Sequence, residues 1–426
     1  MAFIVNIGRT LRTHWKKSIF FTGLSIYGVK YAYERHEENL LRRVYCAEAK
    51  KYGDEKIPMS QRPRRVTVFL NPAAQAGKAR KLFEKNAAPI LYLAGIEVNV
   101  VKTEYEGQIK KFLGVLEPGE TDTVTGILRK DDKKFHKIPV GVIPLGYTNS
   151  FSHLLYGVDK DAVRMIADAA MAVVKAVTKK VDVLKIDGGE GRTTFALCGM
   201  EMGAYRDAED RKSSYWYFGP LKSRWTYLRT AMKEWPPVLK AELSYVEATE
   251  ENMTVPVKDV APRKKVWSFF GFLFRKNQPD QEEVEVPVKE TQEEEESVSR
   301  SLSTMELTLM TPNMLPNQDF PSIQVGIGPA ELSRSDFITE GWRRINQTGP
   351  KYGSETDETL LVKNIDIRVQ GNQEDGPLWY NIDGEAFEAI PVTVSLLREK
   401  LNFFYPVFDP SRAPAQKTDD RPTLKH

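Results

Sequence analysis

Residues 66–78 have the sequence VTVFLNPAAQAGK, in which a short β-branched run leads directly into an Asn-Pro turn and a small basic loop. Such a run favours a buried strand, and the proline ends its hydrogen bonding. Gly77 permits close approach to the backbone, and Lys78 and Arg80 supply positive charge. Residues 79–93 predict a helix whose free N-terminal amides would face an anion. The segment predicts a phosphate-binding loop, with an ordinary strand-to-helix turn and a solvated basic first helical turn as the alternative.

Length and composition indicate a globular protein with more than one core. The chain has 426 residues, for which about two or three domains are expected. Hydrophobic residues make up 41% and charged residues 28%, and the net charge of +3 is too small to indicate nucleic-acid binding. The two cysteines, Cys46 and Cys198, are far apart, and the five histidines show no metal-ligand spacing. We therefore expect no nucleic-acid partner, no disulfide scaffold and no zinc site.

The N-terminal segment is basic and partly apolar. Residues 18–29 form an apolar stretch between Lys16 and Lys17 on one side and Lys30 on the other. Residues 1–30 contain no acidic side chain. The stretch is shorter than the roughly 20 apolar residues that cross a bilayer, and it lacks a secretory cleavage site. It predicts a mitochondrial targeting or membrane-associating segment, with a simple core helix as the alternative. We assign this segment and the polar linker after it to residues 1–60.

After the first loop the chain keeps alternating strands and helices, which is typical of a parallel sheet covered by helices. The predicted strands are 96–101, 138–143 and 181–186, and the predicted helices are 106–116 and 161–177. The strand at 138–143 leads into a loop whose Gly146, Thr148 and Asn149 suit phosphate oxygens or ribose. A turn that uses these residues only for backbone geometry is the alternative. Because ligands collect at the carboxyl ends of parallel strands, we expect an α/β domain over residues 61–190 with its site at this edge.

The second half of the chain contains many short strands. They are predicted at 195–204, 241–245, 303–309, 323–327, 359–369, 379–382 and 392–397. These strands predict a β-rich, sandwich-like domain over residues 191–410, followed by a tail at 411–426. The predicted fold class is therefore α/β plus β, with an N-terminal parallel α/β domain and a C-terminal β-rich domain.

An insertion, predicted to be disordered over residues 250–300, interrupts this second pattern. The block at 263–276, RKKVWSFFGFLFRK, places cations beside aromatic rings, and an acidic run follows at 282–296. Such a block suits docking into the headgroup region of an anionic membrane, with a buried helix with snorkelling ends as the alternative. The predicted membrane-contact residues are Trp267, Phe269, Phe270, Phe272 and Phe274. The acidic run predicts a solvated spacer.

Four elements together resemble one family of enzymes. The Asn-Pro loop at 71–72, the run GVIPLGYTNSF at 141–151, Val-Asp-Val at 181–183 and Asp-Gly-Glu at 383–385 follow the order and approximate spacing of the diacylglycerol and sphingosine kinase catalytic fold. Within that family, SSYWYFGPLK and KEWPP resemble the acylglycerol kinases. The resemblance implies an α/β domain that binds ATP with Mg²⁺ and a β-rich domain that presents the lipid. Phosphoryl transfer would then take place in the cleft between them.

The same resemblance assigns site residues by position. It implies two contacts to the nucleotide. The first is formed by Asn71, Ala73, Gly77, Lys78 and Arg80, and the second by Gly146, Thr148 and Asn149. Asp182 resembles the acid that binds the substrate hydroxyl. Asp383 and Glu385 resemble the carboxylates near the nucleotide and magnesium, to which a base role has been assigned. From the residues alone, Asp182 also fits a capping or turn aspartate, and residues 383–385 fit a plain hairpin turn.

One element of the family pattern is absent from the sequence. The family carries a GGDGT turn whose glycine amides hold the nucleotide phosphates, whereas here residues 116–122 lead directly into TVTGILR at 123–129, which resembles the helix after that turn. About one strand, one turn and one helical turn are therefore missing. We expect exposed strand edges and weakened ATP binding. Either a coding segment is missing from the gene sequence, or the chain is a natural form that does not need catalysis; we favour the former because a buried strand is rarely dispensable.

The resemblance also implies a function and a location. It implies an ATP- and Mg²⁺-dependent lipid kinase that converts mono- and diacylglycerol to lysophosphatidic and phosphatidic acid at a mitochondrial membrane. The expected location is the inner membrane, facing the intermembrane space. The alternative is a non-catalytic membrane scaffold or assembly factor, with subunits of the inner-membrane carrier translocase as partners. The residues do not distinguish glycerolipids from ceramide or sphingosine as substrates.

Overall fold

A computed structural model describes most of the chain. The described residues are 15–60, 62–104, 108, 123–125, 138–146, 149–156, 161–189, 191–233, 235–253, 297–314, 319–346, 358–370 and 378–406. Several predicted features lie outside them: Thr148, nearly all of the helix at 106–116, the aromatic block with Trp267, Phe269, Phe270, Phe272 and Phe274, the acidic run, and the tail.

The first part of the chain alternates helices with short parallel strands. Its elements are α1 (Trp15–Gly53), β1 (Arg65–Leu70), α2 (Ala74–Gly77), α3 (Ala79–Asn86), α4 (Ala88–Leu93), β2 (Glu97–Lys102), β3 (Thr123–Thr125), β4 (Val140–Gly141), α5 (Ser150–Tyr156) and α6 (Ala162–Lys175). After Arg65, every residue of β1 is buried, as expected for a strand covered by helices on both faces. The Asp161 carboxylate accepts a hydrogen bond from the Val163 amide and so caps α6.

The parallel sheet has the order β2-β1-β3-β4, in which β1 pairs with both β2 and β3, and β3 pairs with β4. Thr123–Thr125 therefore forms a strand, and the expectation that residues 123–129 correspond to the helix after the family's GGDGT turn is wrong at these three positions. The expectation of two exposed strand edges is wrong as well, because β3 lies between β1 and β4. Two β-branched threonines flank a valine in this segment, which favours the strand.

The long helix α1 has two halves with different surroundings. Near its C-terminal end, Tyr45 and Ala49 are buried against α4 and α6, and Arg42 donates to the Asn86 side chain at 2.7 Å. The N-terminal half is solvent-exposed, with Phe20 66% and Tyr27 69% exposed. The apolar stretch is thus part of a longer helix that is anchored to the α/β region only by its second half. Within the described part of the chain, we find no helix whose length and apolar character suffice for crossing a bilayer.

The second part of the chain is dominated by antiparallel strands. Its elements are β5 (Thr178–Asp187), β6 (Thr193–Ala196), β7 (Gly199–Gly203), α7 (Ala204–Asp210), a 3-10 segment (Arg211–Leu221), α8 (Lys222–Ala231), β8 (Leu239–Glu247), α9 (Glu250–Met253), β9 (Val298–Thr304), β10 (Glu306–Met310), a 3-10 turn (Pro312–Met314), β11 (Ile323–Ile327), α10 (Arg334–Asn346), β12 (Glu358–Gln370), β13 (Trp379–Ile382), β14 (Glu385–Glu388) and β15 (Val392–Phe404). The strands predicted at 241–245, 323–327, 359–369, 379–382 and 392–397 are confirmed, whereas 195–204 divides into β6 and β7 before α7 begins, and 303–309 divides into β9 and β10. Leu184, Met200, Leu309, Val325 and Ile367 are among the buried residues of their common core.

One sheet runs through both parts of the chain. Its order is β14-β13-β7-β10-β11-β12-β15-β4-β3-β1-β2, and β4 joins the two parts by pairing with β15. The strand predicted at 181–186 is confirmed as part of β5, but it does not extend the parallel sheet. It pairs antiparallel with β15 and β6. The regular alternation of strand and helix therefore ends at α6, one strand earlier than the sequence pattern indicates.

Gly203 makes a sharp connection between β7 and α7. Its φ of +111° is unfavourable for other residues, and a Cβ there would lie 2.2 Å from the carbonyl oxygen of Met305. We expect Gly203→Ala to lower the free energy of unfolding by about 2 kcal/mol or more, measured by urea denaturation. Gly191→Ala is the matched control, because Gly191 also has positive φ but has open space around it. Equal losses of unfolding free energy in the two variants would show that the close approach to Met305 does not contribute to the effect.

Candidate active site

The loop after β1 has an unusual backbone. The Asn71 side chain accepts a hydrogen bond from the Ala73 amide at 3.0 Å, which closes a tight turn directly after the strand. Within the short segment α2, Gln75, Ala76 and Gly77 all have positive φ, so it departs from regular helix geometry and the chain turns sharply before α3 begins. Asn71, Ala73, Gly77 and Lys78 are exposed, as a ligand-contacting loop requires. The structure therefore presents a compact basic loop at the carboxyl end of β1.

Arg80 has a different environment from the rest of this loop. It lies in the first turn of α3 and donates to the Glu84 carboxylate at 2.7 Å, one helical turn further on. Both side chains are more than half exposed, so this ion pair is solvated. A phosphate group would have to compete with Glu84 for Arg80, whereas Lys78 precedes the helix and lies within the turn itself.

The second loop, after β4, is closed by its own asparagine. Asn149 accepts from the Gly146 amide and donates back to the Gly146 carbonyl, each at 2.9 Å, and Asn149 has a φ of 47°. These bonds agree with the alternative that Gly146 and Asn149 set the backbone geometry of a turn. The loops after β1 and β4 lie at the same edge of the sheet with β3 between their strands, hence about 10 Å apart. That separation suits two contacts to one nucleotide.

Asp383 is held by backbone amides. Its carboxylate oxygens accept hydrogen bonds from Leu197 at 2.6 Å, from Cys198 at 2.9 Å and from Gly199 at 3.0 Å. Residue 383 has a φ of 49° and turns the chain from β13 into β14. These contacts fix the hairpin to the start of β7. Glu385, two residues later, is exposed at the first position of β14.

Asp182 is tied to the same region through Asn313, a residue that the sequence patterns did not single out. The Asn313 side chain accepts from the Asp182 amide at 3.1 Å and donates to the Asp182 carbonyl at 2.7 Å. It also donates to the carbonyl of Leu197, whose amide binds Asp383. One asparagine therefore links Asp182 to the Asp383 turn. In the sequence, Asn313 follows a Thr-Pro pair, which signals only a turn.

The carboxylate of Asp182 also supports β15. Its Oδ1 accepts from the Glu399 amide at 2.7 Å, where the pairing of β5 with β15 shifts register between Leu397 and Leu401. Glu399 has a φ of 47° at this irregularity. The contact matches the capping alternative that the sequence left open for Asp182. It leaves the substrate-binding role of Asp182 as a prediction.

An apolar cluster joins these elements to the second predicted nucleotide loop. Val140 of β4, Val181 of β5 and Phe403 of β15 are buried together, and Leu197 packs against them. Phe151, in the first turn of α5 after the second loop, packs its ring against Phe403 with the ring centroids 4.7 Å apart. Since the Leu197 amide is one of the three that hold Asp383, the second loop, Asp182 and the Asp383 turn share one core. The structure thus brings the second predicted loop, Asp182 and the Asp383 turn to the junction of the two parts of the chain.

Beside this junction, Glu201 has an altered acidity. Its carboxyl group accepts from the Asn381 side chain at 2.5 Å, on the strand that leads to Asp383. Burial raises the pKa of Glu201 from 4.5 to about 7, with Glu306 and Glu209 adding to the rise and Asn381 and Arg344 opposing it. Glu201 therefore titrates near neutral pH.

Glu201 should make stability depend on pH. Because folding raises its pKa, its stabilising contribution is fully present below pH 4.5 and is lost as the pH rises through about 7. A shift of this size corresponds to about 3 kcal/mol. We expect Glu201→Gln, which keeps the acceptor for Asn381, to match the wild type near pH 4.5 and to exceed its free energy of unfolding above pH 7. Urea denaturation at both pH values measures this, and equal pH dependence in the two proteins would contradict the assignment.

The carboxylates differ in their fit to magnesium. Among the described residues, no cluster of three or more His, Cys, Asp or Glu side chains is arranged to hold a metal ion. Mg²⁺ in phosphoryl-transfer sites needs only one or two carboxylates, together with phosphates and water. The exposed Glu385 fits such a role, whereas the oxygens of Asp383 are already committed to three amides.

Comparison with known families agrees with this geometry. Residues 65–186 match the diacylglycerol kinase catalytic domain, and residues 197–416 match the acylglycerol kinase C-terminal region. Residues 13–114 also match Tim54, an inner membrane protein import complex subunit. The matched catalytic domain contains both predicted nucleotide loops and Asp182, and the C-terminal region contains the Asp383 turn. Fold and site thus define a lipid kinase of the diacylglycerol kinase class.

Individual relatives identify the family more narrowly. The mitochondrial acylglycerol kinase of Xenopus laevis is 40% identical over 95% of this chain and 95% of its own length. That of Homo sapiens is 38% identical over 93% of this chain and 95% of its own length. A solved diacylglycerol kinase structure from Bacillus anthracis is 16% identical, covers 82% of this chain and 98% of its own, and has a TM-score of 0.45. The chain belongs to the acylglycerol kinase family.

Proposed function

We propose that this chain transfers the γ-phosphoryl group of ATP to a free hydroxyl of mono- or diacylglycerol at the mitochondrial inner membrane, facing the intermembrane space. The observation that carries the proposal is the hydrogen-bonded link from Asp182 through Asn313 and Leu197 to the Asp383 turn, beside the strand that precedes the second nucleotide loop. The relatives named mitochondrial acylglycerol kinase support a mitochondrial location and an acylglycerol acceptor, and the match to an inner membrane import subunit supports the inner membrane.

The proposed chemistry needs positioning and charge rather than a covalent intermediate. The bond from the γ-phosphorus to the β-phosphate oxygen breaks, a bond to the lipid oxygen forms, and ADP leaves. Glu385 takes the proton of the lipid hydroxyl, since its carboxylate is exposed beside the fixed Asp383 turn. Asp383 holds the hairpin in place, and Asp182 orients the acceptor. Mg²⁺, when bound, neutralises charge on the phosphates.

The nucleotide site in this proposal does not need a GGDGT turn. The loop from Asn71 to Lys78 supplies exposed backbone and a cation at the end of β1, and the Gly146 loop supplies the second contact at the same edge. The presence of β3 between these strands supports the proposal, because the sheet that carries both loops is continuous. Nucleotide affinity is expected to be lower than in relatives that carry the glycine-rich turn.

The proposed activity is tested on the purified full chain. ATP, Mg²⁺ and vesicles containing monoacylglycerol, diacylglycerol, ceramide or sphingosine are incubated with it in separate reactions, and lipid products are identified by mass spectrometry. We expect lysophosphatidic and phosphatidic acid from the two glycerolipids. If only ceramide or sphingosine gave a phosphorylated product, the proposed substrate class would be overturned. If none of the four lipids gave an ATP-dependent product, the proposed activity would be overturned.

A second function is favoured by the family match of residues 13–114 to a subunit of a protein import complex. This range includes the exposed half of α1, where Trp15, Phe20, Phe21 and Leu24 are each more than half exposed. We propose that this half contacts subunits of the inner-membrane carrier translocase. Apolar side chains exposed together on one helix are typical of an interaction site.

The second function is tested by site-specific photo-crosslinking in mitochondria. A photoreactive residue at Phe20 is expected to crosslink to import-complex subunits, whereas one at Trp379, a matched exposed aromatic residue on β13, is not. Equal crosslinking from both positions, or none from Phe20, would count against this role. Because the readout is independent of phosphoryl transfer, its failure leaves the kinase proposal intact.

A further inference from the structure

An apolar group of side chains is exposed on the segment between α7 and β8. In the 3-10 segment, Trp216 is 76% exposed, Tyr217 is 62% exposed and Leu221 is 59% exposed. Leu228 on α8 and Met232 just after it are 36% and 62% exposed. We call these five residues the aromatic patch. Large apolar side chains exposed together mark an interaction site more often than scattered ones do.

The patch is held together by ring contacts and by helix geometry. Phe218 lies 4.9 Å from Tyr217 and stacks on Trp225 of α8 at 4.7 Å between ring centroids. Thr226 and Tyr227 on the opposite side of α8 are buried, so the helix turns one face inward and the other outward. Positions 221, 225, 228 and 232 recur every three or four residues and therefore lie on the outward face. The exposed rings and the exposed aliphatic side chains form one surface.

Positive charge surrounds the aromatic patch. Residues 211–233 contain Arg211, Lys212, Lys222, Arg224, Arg229 and Lys233, and no aspartate or glutamate. The guanidinium of Arg211, followed by burial and Arg229, lowers the pKa of Lys233, and Asp207 opposes this shift, so Lys233 lies near two other cations and one carboxylate. Of the carboxylates on α7, which precedes this segment, Asp207 pairs with Arg206 at 3.1 Å, Asp210 lies 3.9 Å from Arg206, and Glu209 pairs with Lys212 at 3.5 Å.

We propose that the aromatic patch and its surrounding cations dock this protein onto the surface of a bilayer that contains anionic lipid. Indole and phenol rings favour the headgroup region, where an apolar body and a polar end are both accommodated. Lysine and arginine beside them gain energy from the negative surface potential. The highly exposed side chains project outward, so they can enter a fluid headgroup layer without a complementary pocket. The docking surface is separate in sequence from the block at 263–276 and does not depend on the kinase activity.

A local probe tests this docking without interference from other membrane contacts of the chain. An environment-sensitive fluorophore is attached to Leu221→Cys in the full chain carrying Cys46→Ser. Its emission is followed on addition of phosphatidylcholine vesicles with or without phosphatidylglycerol. We expect a blue shift only with phosphatidylglycerol, and a loss of the shift at high salt. The matched control is the same label at Tyr92→Cys, a position 57% exposed on α4, where no shift is expected.

Charge variants test the second half of the proposal. Arg224→Gln, Arg229→Gln and Lys233→Gln together are expected to weaken binding to phosphatidylglycerol vesicles by about a hundredfold. The control with the same change in net charge combines Lys50→Gln, Lys51→Gln and Lys56→Gln at exposed positions in and after α1, and it should retain binding. If the emission of the label at position 221 did not shift while the chain sedimented with vesicles, the proposal would be overturned. A shift caused by soluble polyglutamate instead of vesicles would assign the surface to an acidic protein partner.

Discussion

Replacing Arg344 with methionine is expected to lower the free energy of unfolding by about 3–5 kcal/mol, measured by urea denaturation. Arg344 on α10 is 2% exposed and donates to both carboxylate oxygens of Glu306, at 2.6 and 2.7 Å. It also donates to Glu340 at 2.9 Å and lies 3.9 Å above the ring of Tyr205. The substitution would leave Glu306 buried without its cation, and an uncompensated buried charge is far more costly than a lost surface pair.

The adjacent arginine provides a matched control for this effect. Arg343 pairs with Glu340 at 2.6 Å, but its side chain is 42% exposed. Arg343→Met is therefore expected to cost less than about 1 kcal/mol. The double variant Glu306→Leu with Arg344→Met should recover most of the loss, since it removes both buried charges. A loss in Arg344→Met no larger than that in Arg343→Met would show that the pair contributes little.

Glu385→Gln is expected to lower kcat for lipid phosphorylation by about 10²–10⁴-fold with an unchanged free energy of unfolding. The amide keeps the size and exposure of the side chain but cannot accept the proton of the lipid hydroxyl. The measurement is initial-rate kinetics with saturating ATP and diacylglycerol. Glu388→Gln is the matched control, because Glu388 is exposed at the other end of the same short strand. Equal rates in the two variants would remove Glu385 from the proposed chemistry.

Asp383→Ala should behave differently from Glu385→Gln. The Asp383 carboxylate accepts from three backbone amides, and their loss should lower the free energy of unfolding by more than about 2 kcal/mol. Activity should fall as well, because the hairpin that positions Glu385 loses its attachment to β7. Wild-type stability in Asp383→Ala would contradict the structural role of this carboxylate.

Local sequence patterns sufficed for most elements of the fold. β-Branched runs located β1, β11 and β12, aromatic residues located β13, and the long amphipathic pattern located α6 with Asp161 as its cap. They did not establish which strands pair. A strand shows the same residues whether its neighbour is parallel or antiparallel, so the sequence could not reveal that β5 pairs with β15 rather than extending the parallel sheet.

The error at Thr123–Thr125 has a different origin. The family pattern places a helix here, but the local Thr-Val-Thr favours a strand, and pairing with both β1 and β4 gives that strand its hydrogen bonds. In the site, the sequence pointed to Asp182, Asp383 and Glu385 but not to Asn313. The amides that hold Asp383 are up to 186 residues away in the chain, and only the folded sheet brings them together.

The most direct measurement of nucleotide binding without a GGDGT turn is calorimetric titration of the full chain with Mg·ATP. We expect saturable binding to a single site, weakened about tenfold or more by Lys78→Ala, because that cation lies in the loop after β1. Lys240→Ala, at an exposed position on β8, is the matched control and should leave binding unchanged. The absence of saturable binding, or equal affinities in the two variants, would contradict a nucleotide site at the carboxyl edge of β1 and β4.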